Sequence, residues 1–368
     1  MKIIFDNIIY SLQRAGGISL YWTELIKRFQ KNKNVIFFEN KNTNIFRKNL
    51  NIHTNQELIS YSILRYFPLL RKIPSYSIFH SSYYRTSFQK NIVNIVTVYD
   101  FIYDNYKSGL EKFVHNFQKK IAINNADGVI CISNNVRNEL FKRFPNINKN
   151  KVKTIYISAS KDFYKLKKIS KKNIDNKFKE LISKKAILYV GDRKSIHKNF
   201  LLTIEVVSSL TDYVLIIVGA NQITTSEKKI LDEKLKGRFH QFNDLCAKEL
   251  NFIYNISHCL LYPSSEEGFG IPIVEAMRSG CPVVSTNTSS IFEISGNSAI
   301  LVDKINKEKF IKAINLLEQK SFRLKLVKKG LLQASKFSWD KCYSDTKSFY
   351  KQVYNWKFID NKKLIFKK

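Results

Sequence analysis

Short, near-continuous apolar runs alternate with stretches of helical period along most of this chain, and that alternation restricts the fold more than any other feature. Runs at 2–5, 35–38, 77–79, 92–98, 129–132 and 152–155 read as strands, with amphipathic segments at 20–29, 112–123 and 136–144 between several of them. The alternation restarts with runs at 186–190, 214–218, 259–262, 283–285 and 299–302. Strands that are apolar on both faces belong in parallel sheets covered by helices on both sides. The expected class is therefore α/β, with two doubly wound domains. The lysine-rich stretch 165–185 separates the two blocks. It predicts a first domain over 1–165, a linker over 166–185 and a second domain over 186–338. Helical patterns at 309–319, 323–335 and 339–354 follow, and the last of these, with the basic tail to 368, is expected to pack back on the first domain. Such folds bind ligands at the carboxyl ends of their strands, so the two domains are expected to face each other across a binding cleft.

The 368 residues carry a formal charge of +32, with hydrophobic residues at 44% and aromatics at 13%. That apolar content excludes a disordered chain despite the charge. The longest apolar runs, near 213–220 and 258–263, fall well short of the roughly 18–20 residues of a membrane span. The opening MKIIFDNIIY carries Asp6 in its apolar stretch and no small-residue cleavage site, so it reads as a first strand and not a signal peptide. Five scattered cysteines without a C-x-x-C pair point to a reduced, cytosolic protein. The charge invites a nucleic-acid reading, yet it is spread, +18 over 1–170 and +14 over 171–368, and no zinc-finger or RNA-recognition signature occurs. Lys, Asn, Ile, Phe and Tyr are all abundant and all have AT-rich codons, so base composition accounts for part of the lysine count. Nucleic acid is not expected as a partner, and a basic surface facing anionic lipid or phosphate is preferred.

The most informative segment is Tyr262 followed by PSSEEGFGIPIVEAMRSGCPVV. A strand ends at Tyr262, a polar loop follows, and Pro272 suits the first turn of a new helix. Gly268, Phe269 and Gly270 then lie at a helix N-terminus, where N–H groups and the positive end of the dipole suit a phosphate. Glu267 precedes the turn and Glu275 lies one turn inside the helix, a spacing that lets two carboxylates receive hydroxyls of a sugar and a second polyol. A second segment, Tyr189 followed by VGDRKSIHKNF, carries Arg193 and Lys198 on the loop leaving a strand. Gly16 and Gly17 lie between the first strand and a helix without forming G-x-G-x-x-G, and Gly219 closes the run at 214–218. His80 and Arg85 follow one strand, and Tyr99 and Asp100 end the next.

E-G-F-G-I-P-I-V-E-A-M followed by S-G-C-P-V-V resembles the donor-site signature of family 4 glycosyltransferases, retaining enzymes of the GT-B fold with two Rossmann-like domains. The resemblance extends through A-G-G-I-S, F-H-S-S-Y-Y-R, T-V-Y-D-F, V-I-C-I-S, Y-V-G-D-R-K-S-I-H-K-N-F and L-I-I-V-G-A. It implies that Arg193 and Lys198 clamp the donor pyrophosphate and stabilise the leaving nucleoside diphosphate, with Glu267 holding sugar hydroxyls. It also implies that Gly16, Gly17, Gly219, Gly268, Phe269, Gly270 and Glu275 bind the nucleotide sugar. His80, Arg85, Tyr99 and Asp100 fall on the acceptor side. The chain departs from the family in having Tyr99 where a histidine is common, and Y-I-S-A at 156–159 where Y-N-G is usual.

The implied reaction is same-face transfer of a hexosyl or deoxyhexosyl group from a nucleotide sugar to a glycan hydroxyl. The implied acceptor is a polyprenyl-diphosphate-linked precursor of a bacterial surface polysaccharide, at the inner face of the cytoplasmic membrane. His53, His115, His240 and His258 form no H-x-x-x-H and no D-x-D occurs, so neither a metal nor another cofactor is expected. Cys131, Cys259 and Cys281 read as packing residues. Two alternatives remain open: an epimerase or synthase on the same fold, and a non-catalytic basic scaffold for nucleic acid or membrane.

Overall fold

The computed structural model describes residues 1–57, 60–106, 108–169, 175–219 and 221–360. The chain divides into two compact units, one made of Met1–Ile157 and Ser338–Lys368, the other of Ser158–Phe337. In the first, β1 (Lys2–Asp6), β2 (Val35–Glu39), β3 (Asn55–Gln56), β4 (Ser77–Ser81), β5 (Ile92–Val98), β6 (Gly128–Cys131) and β7 (Val152–Thr154) form one parallel sheet in the order β3-β2-β1-β4-β5-β6-β7. Ile4 pairs with Ile36 on one side and Phe79 on the other. Every residue of β4 and β5 is buried, as strands covered on both faces require. The helix Gly17–Phe29 buries Tyr21, Trp22, Leu25, Ile26 and Phe29. The helix Trp339–Asn355 packs against that helix and against β5 and β6, burying Trp339, Phe349, Tyr350 and Val353.

The second unit repeats the plan. Strands β8 (Lys185–Val190), β9 (Tyr213–Val218), β10 (Phe239–Phe242), β11 (Cys259–Tyr262), β12 (Val283–Thr286) and β13 (Ile300–Val302) run parallel in the order β10-β9-β8-β11-β12-β13. Ile187, Leu215, Ile217, Leu261, Val284 and Phe310 belong to its core. Both sheets therefore reverse strand order beside their first strand, between β1 and β4 and between β8 and β11. Loops leaving such neighbouring strands in opposite directions open the crevice where doubly wound sheets hold ligands.

Each apolar run named above marks a strand, with ends shifted by a residue or two. The runs did not disclose β3 or β10, both at sheet edges: β3 is two exposed polar residues and β10, Phe-His-Gln-Phe, is only half-buried. The lysine-rich stretch expected to be a linker lies, in its described part, within the second unit. Its helix Asn176–Lys179 and the following turn Glu180–Ser183 bury Phe178 and Leu181, and Phe178 meets Phe242 and Phe252 at ring-centre distances of 5.3 and 5.5 Å. The compact units part at residues 157 and 337. There Arg278 gathers both ends of the second unit, donating to the carbonyls of Ala159, Ser160 and Phe337 and to Ser158 Oγ at 2.8–3.1 Å. Residues 170–174 and the KKLIFKK ending fall outside the described residues. No helix among the described residues is long and apolar enough to cross a membrane.

Candidate active site

The loops leaving β8 and β11 meet at the reversal point of the second sheet. Gly191, at φ +154°, turns the chain out of β8 while its N–H donates to Val218 O at 3.0 Å. A Cβ on Gly219 would stand 2.7 Å from Gly191 O, so the ends of β8 and β9 approach as only glycine at 219 allows. The loop then makes a tight turn, Ile196–Lys198, and Asn199 adopts a left-handed conformation. The Asn199 amide donates to Pro263 O and Ser265 Oγ, both at 2.8 Å, and the Ser265 N–H donates to His197 O at 2.7 Å. These bonds knit the two loops together and bring Lys198 onto the segment after β11.

Lys198 Nζ donates to Tyr262 Oη at 2.7 Å and to Glu267 Oε1 at 2.5 Å. The Glu267 N–H donates to Ser289 Oγ at 2.9 Å and its carbonyl accepts from Ser290 Oγ at 2.8 Å. Burial pushes the Glu267 carboxyl up, but the charge of Lys198 and hydrogen bonds from Lys198, Tyr262 and Ser264 outweigh it and hold the group below its ordinary value. Glu267 is thus a buried, ionised carboxylate tied to a half-buried ammonium. Just beyond it, Gly270 takes φ +92° as it opens the helix Ile271–Arg278, with Pro272 in the first turn. Pro272 has no N–H and the Ile273 N–H turns back to Gly270 O at 3.0 Å, and the positive end of the helix lies beside the pair. The Phe269 ring is buried against Phe337 at 5.4 Å.

Arg193 lies elsewhere in the same loop cluster. Its Nε donates to Glu227 Oε1 at 3.1 Å and Nη2 to the carbonyls of Asn221 and Gln222 at 2.9 Å, while Nη1 lies over Gly219. Glu227 also closes a capping box with Thr224 at the start of the helix Thr225–Leu235. The two cations expected to act as one clamp therefore have separate carboxylates in this structure. Glu275 is buried and receives the Tyr254 hydroxyl at 3.0 Å; burial raises its carboxyl to about 7 against the opposing hydrogen bond from Tyr254 and the charge of Arg278.

The acceptor-side candidates belong to the first unit, and so do Gly16 and Gly17, expected to approach the nucleotide sugar. Gly16 is extended and precedes the helix Gly17–Phe29, its carbonyl accepting from Ser19 Oγ at 3.0 Å. His80 is fully buried: Nδ1 meets the Tyr350 hydroxyl, Nε2 meets Thr97 Oγ1 at 2.9 Å, and Trp22 packs edge-on at 4.9 Å. Desolvation lowers its pKa to about 3, so the ring is neutral. Tyr99 is buried and donates to Ser82 O at 3.1 Å. Arg85 is buried against Asp6 at 2.9 Å and donates to Phe67 O at 3.0 Å, and its Nη2 has no hydrogen-bond partner among the described residues. Asp100 accepts from the Ile102 N–H at 3.1 Å as the chain turns after β5.

A family model described as Glycosyltransferase Family 4 matches residues 15–157, and one described as Glycosyl transferases group 1 matches residues 170–332. The chain belongs to the family 4 glycosyltransferases. It is 27% identical over 230 residues to the O-antigen chain mannosyltransferase RfbU of Salmonella typhimurium, covering 61% of this chain and 60% of that one, so it spans less than two thirds of that relative. An uncharacterized glycosyltransferase of Methanocaldococcus jannaschii is 26% identical over 96% of this chain and 99% of its own length. Among solved structures, sucrose-phosphate synthase from Thermosynechococcus elongatus superposes with a TM-score of 0.74 at 18% identity, covering 96% of this chain and 99% of that one. Anabaena HepE in complex with UDP-glucose gives 0.75 at 16%, covering 96% and 100%. The family 4 chain has the GT-B fold of two Rossmann-like sheets.

Several residues that build this candidate site were not visible in the sequence. Tyr262, which shares Lys198 with Glu267, ended a strand and looked like core. Ser289 and Ser290, which hold the Glu267 backbone, lie beyond the next strand and gave no signal. Glu227 had one, the Thr-x-x-Glu spacing of a capping box at 224–227. The described residues contain no group of three or more His, Cys, Asp or Glu side chains that could hold a metal. Burial pushes the Cys131, Cys281 and Cys342 thiols up to about 12 and raises Cys259 as well, which leaves them inert.

Proposed function

We propose that this family 4 enzyme transfers a hexose, with mannose the first candidate, from a nucleotide sugar to a hydroxyl of a growing glycan, with retention. The observation that carries this reading is the Lys198–Glu267–Tyr262 cluster beside a helix N-terminus at the carboxyl edges of β8 and β11. An arriving pyrophosphate competes with Glu267 for Lys198, and the ammonium then stabilises the charge that develops on the leaving nucleoside diphosphate. Glu267, released from the ion pair, accepts hydrogen bonds from sugar hydroxyls. Arg193, with Nη1 over Gly219, supplies the second positive group, and Glu275 is proposed to meet the nucleotide. Mannose is favoured because RfbU is named an O-antigen chain mannosyltransferase. The O-antigen chain in that relative's name supports a precursor of a bacterial surface polysaccharide as the acceptor class, and the reading takes this precursor to be lipid-linked and met at the cytoplasmic membrane face.

A panel of uridine, guanosine and thymidine diphosphate sugars, mannose included, is expected to contain one donor that raises the melting temperature by mass action. With that donor, Lys198→Ala is expected to lose about a hundredfold or more in transfer rate, the scale of removing one charge-stabilising group. Absence of any thermal shift across the panel, or near-full transfer by the variant, overturns the reading.

A further inference from the structure

The helix Gly109–Asn125 is built inside out. It buries Gln118 and Lys119 together with Ala122 and Ile123, and exposes Leu110 at 77%, Phe113 at 67% and Phe117 at 56%. At 100° per residue these three, with exposed Lys120, share an arc of roughly 80° facing away from the unit. The buried polar groups are the anchors: Lys119 Nζ donates to Asp100 O and Asp104 Oδ1, both at 3.2 Å, and Gln118 donates to Arg65 O. The last bond ties the helix to residues 61–70, where Tyr66, Phe67 and Leu70 are also exposed. Arg85 holds that segment through Phe67 O, and Arg65 lies over the Tyr66 and Tyr83 rings. The Phe113 and Phe117 rings stack at 6.1 Å. The apolar face is thus fixed in place by bonds beneath it.

Its charge is one-sided. Residues 60–99 contain no Asp or Glu but five basic residues, of which Arg71, Lys72 and Lys90 are exposed. Glu111, the one acid of the helix Gly109–Asn125, lies off the apolar arc and accepts from the Tyr103 hydroxyl at 3.2 Å. Aromatic and aliphatic side chains ringed by cations match the interface of an anionic bilayer, where rings enter the headgroup layer and ammonium groups meet phosphate. A second copy, bearing the same +32, is disfavoured by repulsion.

We propose that this face, Leu110, Phe113 and Phe117 with Tyr66, Phe67 and Leu70, docks the protein on an anionic lipid surface. The inference rests on the proposed lipid-linked acceptor for its purpose, but binding measured with neither donor nor acceptor present fails or succeeds independently of transfer. The full chain is sedimented with vesicles of phosphatidylcholine alone or with about one third phosphatidylglycerol. The expected result is salt-sensitive binding to the anionic vesicles, reduced about tenfold or more by Phe113→Ser/Phe117→Ser. The control Leu324→Ser/Leu332→Ser, exposed positions of the second unit, is expected to bind as the parent does. A Phe117→Trp variant keeps a ring at the site and is expected to gain emission quenched by brominated lipid. Failure of the parent chain to bind, undiminished binding by the serine pair, no extra quenching, or a dimer that the serine pair dissolves would each overturn the proposal.

Discussion

Stability of the second unit is coupled to protons through Glu275, whose carboxyl is raised by burial from 4.5 to about 7. The folded chain keeps a proton there that the unfolded chain releases, so stability falls as pH rises through this window and levels off above it. Glu275→Gln, which removes the ionisation and keeps the shape, is expected to gain on the order of 2–3 kcal/mol relative to the parent at pH 8 and little at pH 4.5. Denaturant unfolding at the two pH values measures this, and equal differences at both would contradict it. The contrast with Glu267 explains how far single residues were legible. Both glutamates stood out by spacing in the sequence, but their opposite ionisation depends on surroundings supplied by other elements: the Lys198 ammonium holds Glu267 charged, whereas burial raises Glu275 further than the Tyr254 hydroxyl and Arg278 can offset. Arg193 was equally visible, and its pairing with Glu227 was not, because the carbonyls of Asn221 and Gln222 that position it follow a different strand.

Among the elements, the strands were legible because a parallel strand buried on both faces must be apolar throughout. Edge strands escape that requirement, which hid β3 and β10. In the lysine-rich stretch two buried anchors, Phe178 and Leu181, were outnumbered by solvated charge and gave too little periodicity to read. The meeting of β8 and β9 makes a prediction at this scale. Gly219→Ala places a methyl group 2.7 Å from the Gly191 carbonyl, and backbone on both sides must yield. The expected cost is about 1–3 kcal/mol with weakened donor binding, since the displaced loop carries Lys198. A melting curve and a donor titration test it together, and an unchanged variant would show that the close approach is not required.

At the scale of the molecule, the chain leaves the first unit after Ile157 and returns at Ser338 to complete it. The returning helix closes a core that would otherwise be open beside β5 and β6. Tyr350→Phe removes only the hydroxyl that satisfies His80 Nδ1, and is expected to destabilise by about 1–3 kcal/mol, the cost of a buried polar atom left unpaired. Chemical denaturation checks this, and a stability equal to the parent would mean that His80 finds another partner.

The same pairing sets a timetable for synthesis. His80 and Tyr350 are 270 positions apart, so a ribosome working at about 5–20 residues per second makes the histidine roughly 15–50 s before its partner. During that interval the whole second unit is synthesised, its last residue Phe337 only 13 positions before Tyr350, while the first sheet waits with an uncovered face. The nascent chain therefore passes through a long-lived half-finished stage in which its earliest-made strands are the last to be sealed, and chaperone dependence is expected to concentrate there.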